Sequence, residues 1–314
     1  MGRVKKKSRL VLVLTVVVCL IAGCFGGGIL LANHMLNKMD RVELDKDKIE
    51  VKEEVHEKLS AYADDVINIA LYGIDATDGN IGRSDAIMIA TVDKANNSLK
   101  LTSIMRDSYV DIPGRGMDKI NHAYAFGGPE LAISTLNRNF DLNIDDFVAV
   151  NFTTLPEVID ALGGVEIEIT EEEVSHIAGI YSAGVYNLTG AQALSYSRIR
   201  YAEGGDYKRT ERQRTVLEKL FEGLSNISVT EIPGVLNKVL PMIQTSLSTS
   251  EIIELGTVVL KMGVHTLEQE RFPLDGYSYG DMIDGIYYLV FDQEETAEQL
   301  HEYLFNNRKI WLEE

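Results

Sequence analysis

Cysteine is almost absent: the 314 residues hold two, Cys19 and Cys24. Both lie inside one apolar run, so the rest of the chain can form no disulfide and must be stabilised by a packed core. Several chemistry-bearing motifs are also missing. There is no Walker phosphate loop, no dinucleotide glycine fingerprint and no zinc-type Cys/His spacing. There is no serine nucleophile elbow, no internal repeat and no low-complexity tract. Positive charge is scarce, with 30 Lys and Arg against 48 Asp and Glu and a net charge of −18. A chain this acidic is a poor general binder of nucleic acid. Any anionic ligand has to meet a local basic cluster.

What is present begins with the apolar run itself. Leu10 to Ala32 carries no charge, and a membrane-spanning helix needs about 20 apolar residues. Residues 1–9 hold Arg3, Lys5, Lys6, Lys7 and Arg9 with no acid. The positive-inside rule keeps that end in the cytoplasm and sends the remainder outside. The expectation is a single-pass cell-membrane protein: cytoplasmic tail 1–9, transmembrane helix 10–32, and an extracellular domain. Two alternatives stay open. A cleaved signal peptide has a shorter apolar stretch. Ile21-Ala22-Gly23-Cys24 is similar to a lipoprotein box, although the apolar run continues past it to Ala32.

Residues 33–64 are densely charged and read as a polar stalk. The domain proper is expected over 65–305, with a tail at 306–314. A hydrophobic content of 45% allows one large domain or two small ones. Apolar runs at Val66–Tyr72, Ala86–Val92 and Leu99–Ile104 read as buried strands. Asp93 to Asn97 reads as a hairpin turn between the last two. A helix is expected to start at Gly127-Gly-Pro-Glu130, with Leu131, Ile133, Leu136 and Phe140 on its apolar face. Strands at 147–152, 165–169, 270–272 and 286–291 then alternate with helices at 154–162, 189–197, 208–224, 250–261 and 294–304. Interleaving of this kind implies an α/β fold, a mixed central sheet flanked by helices.

The strand reading has a geometric consequence. If the first two strands pair antiparallel, Asp75 and Asp85 reach the same end of the sheet. The third strand returns to that end and delivers Arg106 and Asp107, with Arg83 alongside. Two carboxylates beside arginines suit a hard cation such as Mg²⁺, which takes oxygen ligands and shares them with phosphate. A solvated turn residue is the plainer reading of either acid alone.

A second cluster runs through Arg198, Arg200, Asp206, Arg209, Arg212 and Gln213. At about 100° per residue, Val216, Leu217, Leu220 and Leu224 form an apolar stripe that contains Arg209 and Gln213, with Arg212 beside it. An arginine on the core side needs an anionic partner. That partner is either an internal acid such as Asp206 or a ligand phosphate held bidentately. Four arginines exceed what Asp206 alone can pair, which favours a polyanion such as a diphosphate. His122, in Lys119-Ile-Asn121-His122, is by itself more often structural than catalytic.

These segments resemble the LytR-CpsA-Psr family. The resemblance rests on Leu71-Tyr-Gly-Ile-Asp75, Gly82-Arg-Ser-Asp85, Ser103-Ile-Met-Arg-Asp107, Lys119-Ile-Asn121, Ala125-Phe-Gly-Gly128 and Asp160-Ala-Leu-Gly-Gly-Val165. It extends to Gly190-Ala-Gln-Ala-Leu194, Arg198-Ile-Arg200 and Asp206-Tyr-Lys-Arg209 with Arg212-Gln213. It implies an α-β-α phosphotransferase that moves a glycopolymer, such as wall teichoic acid or capsule, from a polyprenyl-diphosphate carrier to a peptidoglycan sugar hydroxyl. It implies Asp75 and Asp85 as the acids linked to Mg²⁺, with Mn²⁺ as a substitute. It assigns Arg83, Arg106, Arg198, Arg200, Arg209 and Arg212 to the diphosphate, with Asp206 and Gln213 in support and Lys119 near the headgroup. Asp85 or Asp206 could take the hydroxyl proton. The partners implied are a lipid-linked glycan, peptidoglycan and membrane lipid. Where the family usually has Pro, this chain has Met105. Hydrolysis in place of transfer, a lipid-diphosphate binding module without catalysis, and a regulator are the rival readings.

Overall fold

The structure, a computed structural model, describes residues 33, 35–76, 82–151, 154–199, 211, 212, 215, 216, 219, 232–264 and 267–312. Its elements are β1 (Asp40–Arg41), α1 (Glu53–Ser60), β2 (Val66–Asp75), β3 (Arg83–Asp93), β4 (Ser98–Ile104), β5 (Tyr109–Ile112) and β6 (Gly116–Lys119). There follow α2 (His122–Phe140), β7 (Phe147–Asn151), α3 (Leu155–Ala161), β8 (Val165–Ile169), α4 (Glu171–Val174), β9 (Gly184–Leu188) and α5 (Gly190–Ser197). The chain continues with α6 (Ile232–Val239), β10 (Ile243–Thr245), α7 (Thr249–Met262), β11 (Leu267–Phe272), β12 (Ser278–Ile283), β13 (Ile286–Phe291) and α8 (Gln293–Asn306).

Seven strands form one sheet in the order β1-β10-β7-β2-β3-β4-β11. β2, β3 and β4 are antiparallel neighbours, and β11 lies parallel to β4, so the sheet is mixed as expected. Two compact units share the chain. One takes residues up to 40, 150–243 and 248–266; the other takes 41–149, 244–247 and 267 onward. In the second unit, Ile87, Ile89, Ala70 and Ile104 share a core with Leu136 and Phe140 of α2 and Leu300 and Leu304 of α8. Ala86 and Met88 of β3 are buried outside that cluster, so both faces of β3 are covered. That is why β3 reads as a continuous apolar run rather than an alternation. The turn after β3 has Asn97 in the left-handed region, as a tight hairpin requires.

Part of the segment read as a stalk is built into this body. β1 joins the sheet edge, and Ile49, Val55 and Leu59 are buried in the core. Val55 and Leu59 are four apart on α1 and face one way, while Glu53, Glu54, Glu57 and Lys58 are exposed. Dense charge hid a narrow apolar stripe. α2 also starts earlier than expected, at His122. Gly127 and Gly128 leave helical geometry and Pro129 restarts it, so the expected start marks the second half of a broken helix. The expected helix at 208–224 and the apolar run at 10–32 lie mostly or wholly outside the described residues. Among the described residues, no helix is long and apolar enough to cross a membrane.

Two buried polar features carry energetic consequences. Lys100 and Asp93 are both fully enclosed, 3.3 Å apart, at the base of the β3–β4 hairpin. His301 on α8 is 4% exposed between the rings of Tyr62 and Phe305. Burial, reinforced by Lys58, pushes its pKa down to about 4. The unfolded chain therefore takes up that proton first. The stability due to neutral His301 is complete above the ordinary value near 6.5 and is lost as pH falls towards 4. Between pH 7 and pH 5 the native protein should lose about 2 kcal/mol that a His301→Phe variant keeps. Parallel denaturant titrations of the two proteins at both pH values check this, and equal slopes would contradict it.

Candidate functional site

The acids and arginines of the second unit meet where β2 ends, β3 begins and β4 ends. The ladder pairs Asp75 with Arg83 and Ile74 with Ser84, but Gly73 with Ala86. Asp85 is thus the extra residue of a β-bulge, a device that re-aims a side chain and often flanks functional sites. Asp75 and Arg83 are exposed, while Asp85 is half-buried.

From Asp85 a chain of alternating charges runs inward. Arg106 Nη1 lies 2.9 Å from Asp85 Oδ1, and Arg106 Nε lies 3.3 Å from Asp107 Oδ2. Lys119 Nζ donates to Asp107 Oδ1 at 2.7 Å. Asp107 is buried and grips both cations from below. Asn121 completes the frame. Its Nδ2 donates to Asp85 Oδ1 at 3.1 Å. Its backbone N–H donates to the Arg106 carbonyl, and its own carbonyl accepts from Ser84 N–H. One residue therefore ties the ends of β3 and β4 together. Met105 is buried and donates its N–H to the Phe272 carbonyl at 2.9 Å, a bond that a proline at this position could not make.

Gly82 explains how Asp75 is held. A Cβ added there would fall 2.3 Å from the Asp75 carbonyl oxygen, so only glycine lets the two segments touch. Gly82→Ala should force this backbone apart and cost about 1–3 kcal/mol. Activity should fall with it. A Gly82→Ala protein with unchanged melting temperature and turnover would refute the contact.

Whether Mg²⁺ suits this corner turns on its donors. Asp75 and Asp85 supply hard oxygens. Asn121 Oδ1 adds another, buried and without a hydrogen-bond partner among the described residues. Among those residues no group of three or more His, Cys, Asp and Glu could enclose a metal. Mg²⁺ is usually held by one or two carboxylates together with substrate phosphate and water, so this donor set fits.

Beside Lys119 stands an ion pair, Asp118 with His122. His122 Nδ1 is 2.8 Å from Asp118 Oδ2, and Asp118 Oδ1 accepts from the Lys119 N–H at 2.7 Å. Burial pushes the Asp118 carboxyl up, but His122, that N–H and the Tyr288 hydroxyl outweigh it and hold it below the usual range. The i, i+4 spacing of Asp118 and His122 was the available signal, although β6 ends between them.

The other unit carries the second cluster. Arg198 follows α5 and is exposed. Arg212 is 6% exposed, and its Nε is 2.6 Å from Glu173 Oε1. Its Nη1 donates to the Ile199 carbonyl at 3.4 Å. Glu173 Oε2 meanwhile accepts from Thr170 N–H as the helix cap of α4. So Arg212 does have an internal acid, Glu173. The projection set Arg212 beside the apolar stripe and could not give a partner 39 residues distant. Arg200, Asp206, Arg209 and Gln213 lie outside the described residues.

Comparison with known proteins gives a consistent result. The LytR_cpsA_psr family model matches residues 32–304. A polyisoprenyl-teichoic acid–peptidoglycan teichoic acid transferase of Oceanobacillus iheyensis is 35% identical over 248 residues, 74% of this chain and 73% of its own. A solved structure of TagT bound to LIIa-WTA has a TM-score of 0.64 at 26% identity, covering 84% of this chain and 99% of that one. Another, of the LytR-CPS2A-psr family protein YwtF (TagT) with bound octaprenyl pyrophosphate lipid, has a TM-score of 0.60 at 25% identity over the same shares.

Proposed function

The chain belongs to the LytR_cpsA_psr family, and from that premise we propose that it transfers a glycopolymer from a polyprenyl-diphosphate carrier to a sugar hydroxyl of peptidoglycan. The relatives' names favour wall teichoic acid as the polymer. The observation that carries the reading is the charge chain Lys119–Asp107–Arg106–Asp85 at an open sheet end. It holds cations in fixed positions before any ligand arrives, and preorganised charge is the main resource of phosphoryl transfer.

The balance of the step is simple. The acceptor oxygen forms a bond to the phosphorus that bears the glycan. The bond from that phosphorus to the bridging oxygen breaks, and polyprenyl phosphate leaves with the electron pair. The hydroxyl proton passes to a carboxylate, Asp85 or Asp206. Arg106 and Lys119 face the charge that builds on the phosphoryl oxygens, and the family resemblance assigns Arg83, Arg198, Arg200 and Arg209 to the diphosphate. Arg212, tied to Glu173, holds the Ile199 carbonyl next to Arg198. Asp75 and Asp85 would hold Mg²⁺, which when bound neutralises diphosphate charge. Leu10 to Ala32 would keep the domain on the outer face of the membrane that holds the donor, which raises their effective concentration.

A donor labelled in its glycan, incubated with and without peptidoglycan, tests the proposal. Label should join peptidoglycan only when the acceptor and active protein are both present. Glycan phosphate released at the same rate in either case would make the protein a hydrolase instead.

A further inference from the structure

The β12–β13 hairpin carries exposed rings and apolar chains beside the phosphate corner. Tyr279, Met282, Ile286 and Tyr287 are 62%, 61%, 49% and 41% exposed. By the strand register Tyr287 and Met282 pair on one face of the hairpin, where an exposed ring beside an apolar chain suits a binding face. The hairpin closes tightly. A two-residue turn at Asp284 and Gly285, both with positive φ, matches the twist of its strands.

Its place is fixed relative to the phosphate corner. The Leu289 N–H donates to the Asp107 carbonyl at 2.8 Å, so β13 is bonded to the residue that holds Arg106 and Lys119. The Lys119 ammonium lies 5.9 Å from the centre of the Tyr287 ring. Tyr287 itself is laid across Gly280 on the facing strand. A Cβ at that glycine would sit 2.6 Å from the ring. The glycine thus makes room for a flat, exposed aromatic surface next to the site's lysine.

Charge selects the occupant. From Pro273 to Asn307 there is no Lys or Arg, while Asp275, Asp281, Asp284 and Asp292 are all acidic. An anionic polymer or an anionic membrane would be repelled. A neutral pyranose ring fits instead. Its C–H face covers an aromatic ring, and its hydroxyl and amide groups donate to nearby carboxylates.

We propose that this hairpin is the acceptor subsite, with Tyr287 over Gly280 as the platform on which a neutral pyranose ring of the receiving glycan strand stacks beside Lys119. The assignment rests on the transferase reading above. It explains how a neutral sugar hydroxyl is brought to a corner otherwise built for phosphate.

Three variants of the full chain in detergent micelles test it: Tyr287→Ala, Gly280→Ala, which keeps the tyrosine but displaces its ring, and Tyr287→Phe, which keeps the ring. Rates are measured with lipid-linked donor against uncrosslinked glycan strands stripped of polymer. The first two should raise the acceptor KM about tenfold, the scale of one lost stacking contact, and leave the donor KM alone. Tyr287→Phe should stay near wild type, and all three should melt like the parent. An unchanged acceptor KM in Tyr287→Ala overturns the proposal, as does an equal rise in the donor KM. So does a defect confined to sedimentation with neutral lipid vesicles or to self-association. If the wild type only hydrolyses donor, the transferase reading fails separately. Co-sedimentation with stripped sacculi then still decides the platform, which Tyr287→Ala should weaken.

Discussion

Asp85→Asn should cut glycopolymer transfer by about 10²–10³-fold, the usual loss when one preorganised charge is removed from a reacting site. The substitution preserves shape and removes the anion that Arg106 Nη1 and Asn121 Nδ2 both address at Oδ1. Folding should hardly suffer. Arg106 keeps Asp107 as a second carboxylate, and Asp85 is only half-buried. Asp107→Asn provides the contrast. It strips the shared anion from two cations, one of them Lys119, and should lower both activity and melting temperature. An Asp85→Asn enzyme within threefold of wild type would remove Asp85 from the chemistry.

The largest loss of stability is expected from Asp93→Ala. Asp93 accepts from the Asn96 N–H at 3.0 Å and from Lys100 Nζ at 3.3 Å. Lys100 also donates to the Leu304 carbonyl of α8 at 3.1 Å, so the pair links the hairpin turn to that helix. Burial already draws the Lys100 pKa down, and Asp93 is the chief influence opposing this. Removing the acid leaves a buried ammonium without its counter-charge, at a cost of about 3–5 kcal/mol. In a protein of this size the melting midpoint should fall by roughly 10 °C. Adding Lys100→Met should recover much of the loss, because an apolar pair replaces an ionic one at little cost. A double variant no more stable than Asp93→Ala would show that the ion pair is not the cause.

Both expectations depend on features with different visibility in the sequence. β2, β3 and β4 were legible because buried strands leave apolar runs and the Asp93–Asn97 turn separates two of them. Their antiparallel order placed Asp75, Arg83, Asp85 and Arg106 at one end of the sheet. The bulge that singles out Asp85 was not legible, since it is a defect of pairing and leaves no period in either strand. Nor was Asn121 as the tie between β3 and β4, because its bonds run to residues remote in sequence.

The outer hairpin was half visible. Ile286–Phe291 reads as a strand, whereas Ser278–Ile283 contains Gly280 and Asp281, residues that strands disfavour. Asp284-Gly285 was the signal that could have disclosed the pair. For the arginine cluster, helical periodicity set Arg212 only beside the apolar stripe. Only tertiary structure shows that Glu173 meets it. The roles of Arg200 and Arg209 rest on the family resemblance.

The most direct test is the bond itself. Purified protein, lipid-linked glycan and peptidoglycan are incubated, the wall is digested with a muramidase, and soluble fragments are analysed by mass spectrometry. The account predicts fragments that carry the glycan through a phosphodiester, formed with release of polyprenyl monophosphate and missing with Asp85→Asn. Free glycan phosphate with unmodified fragments would contradict it.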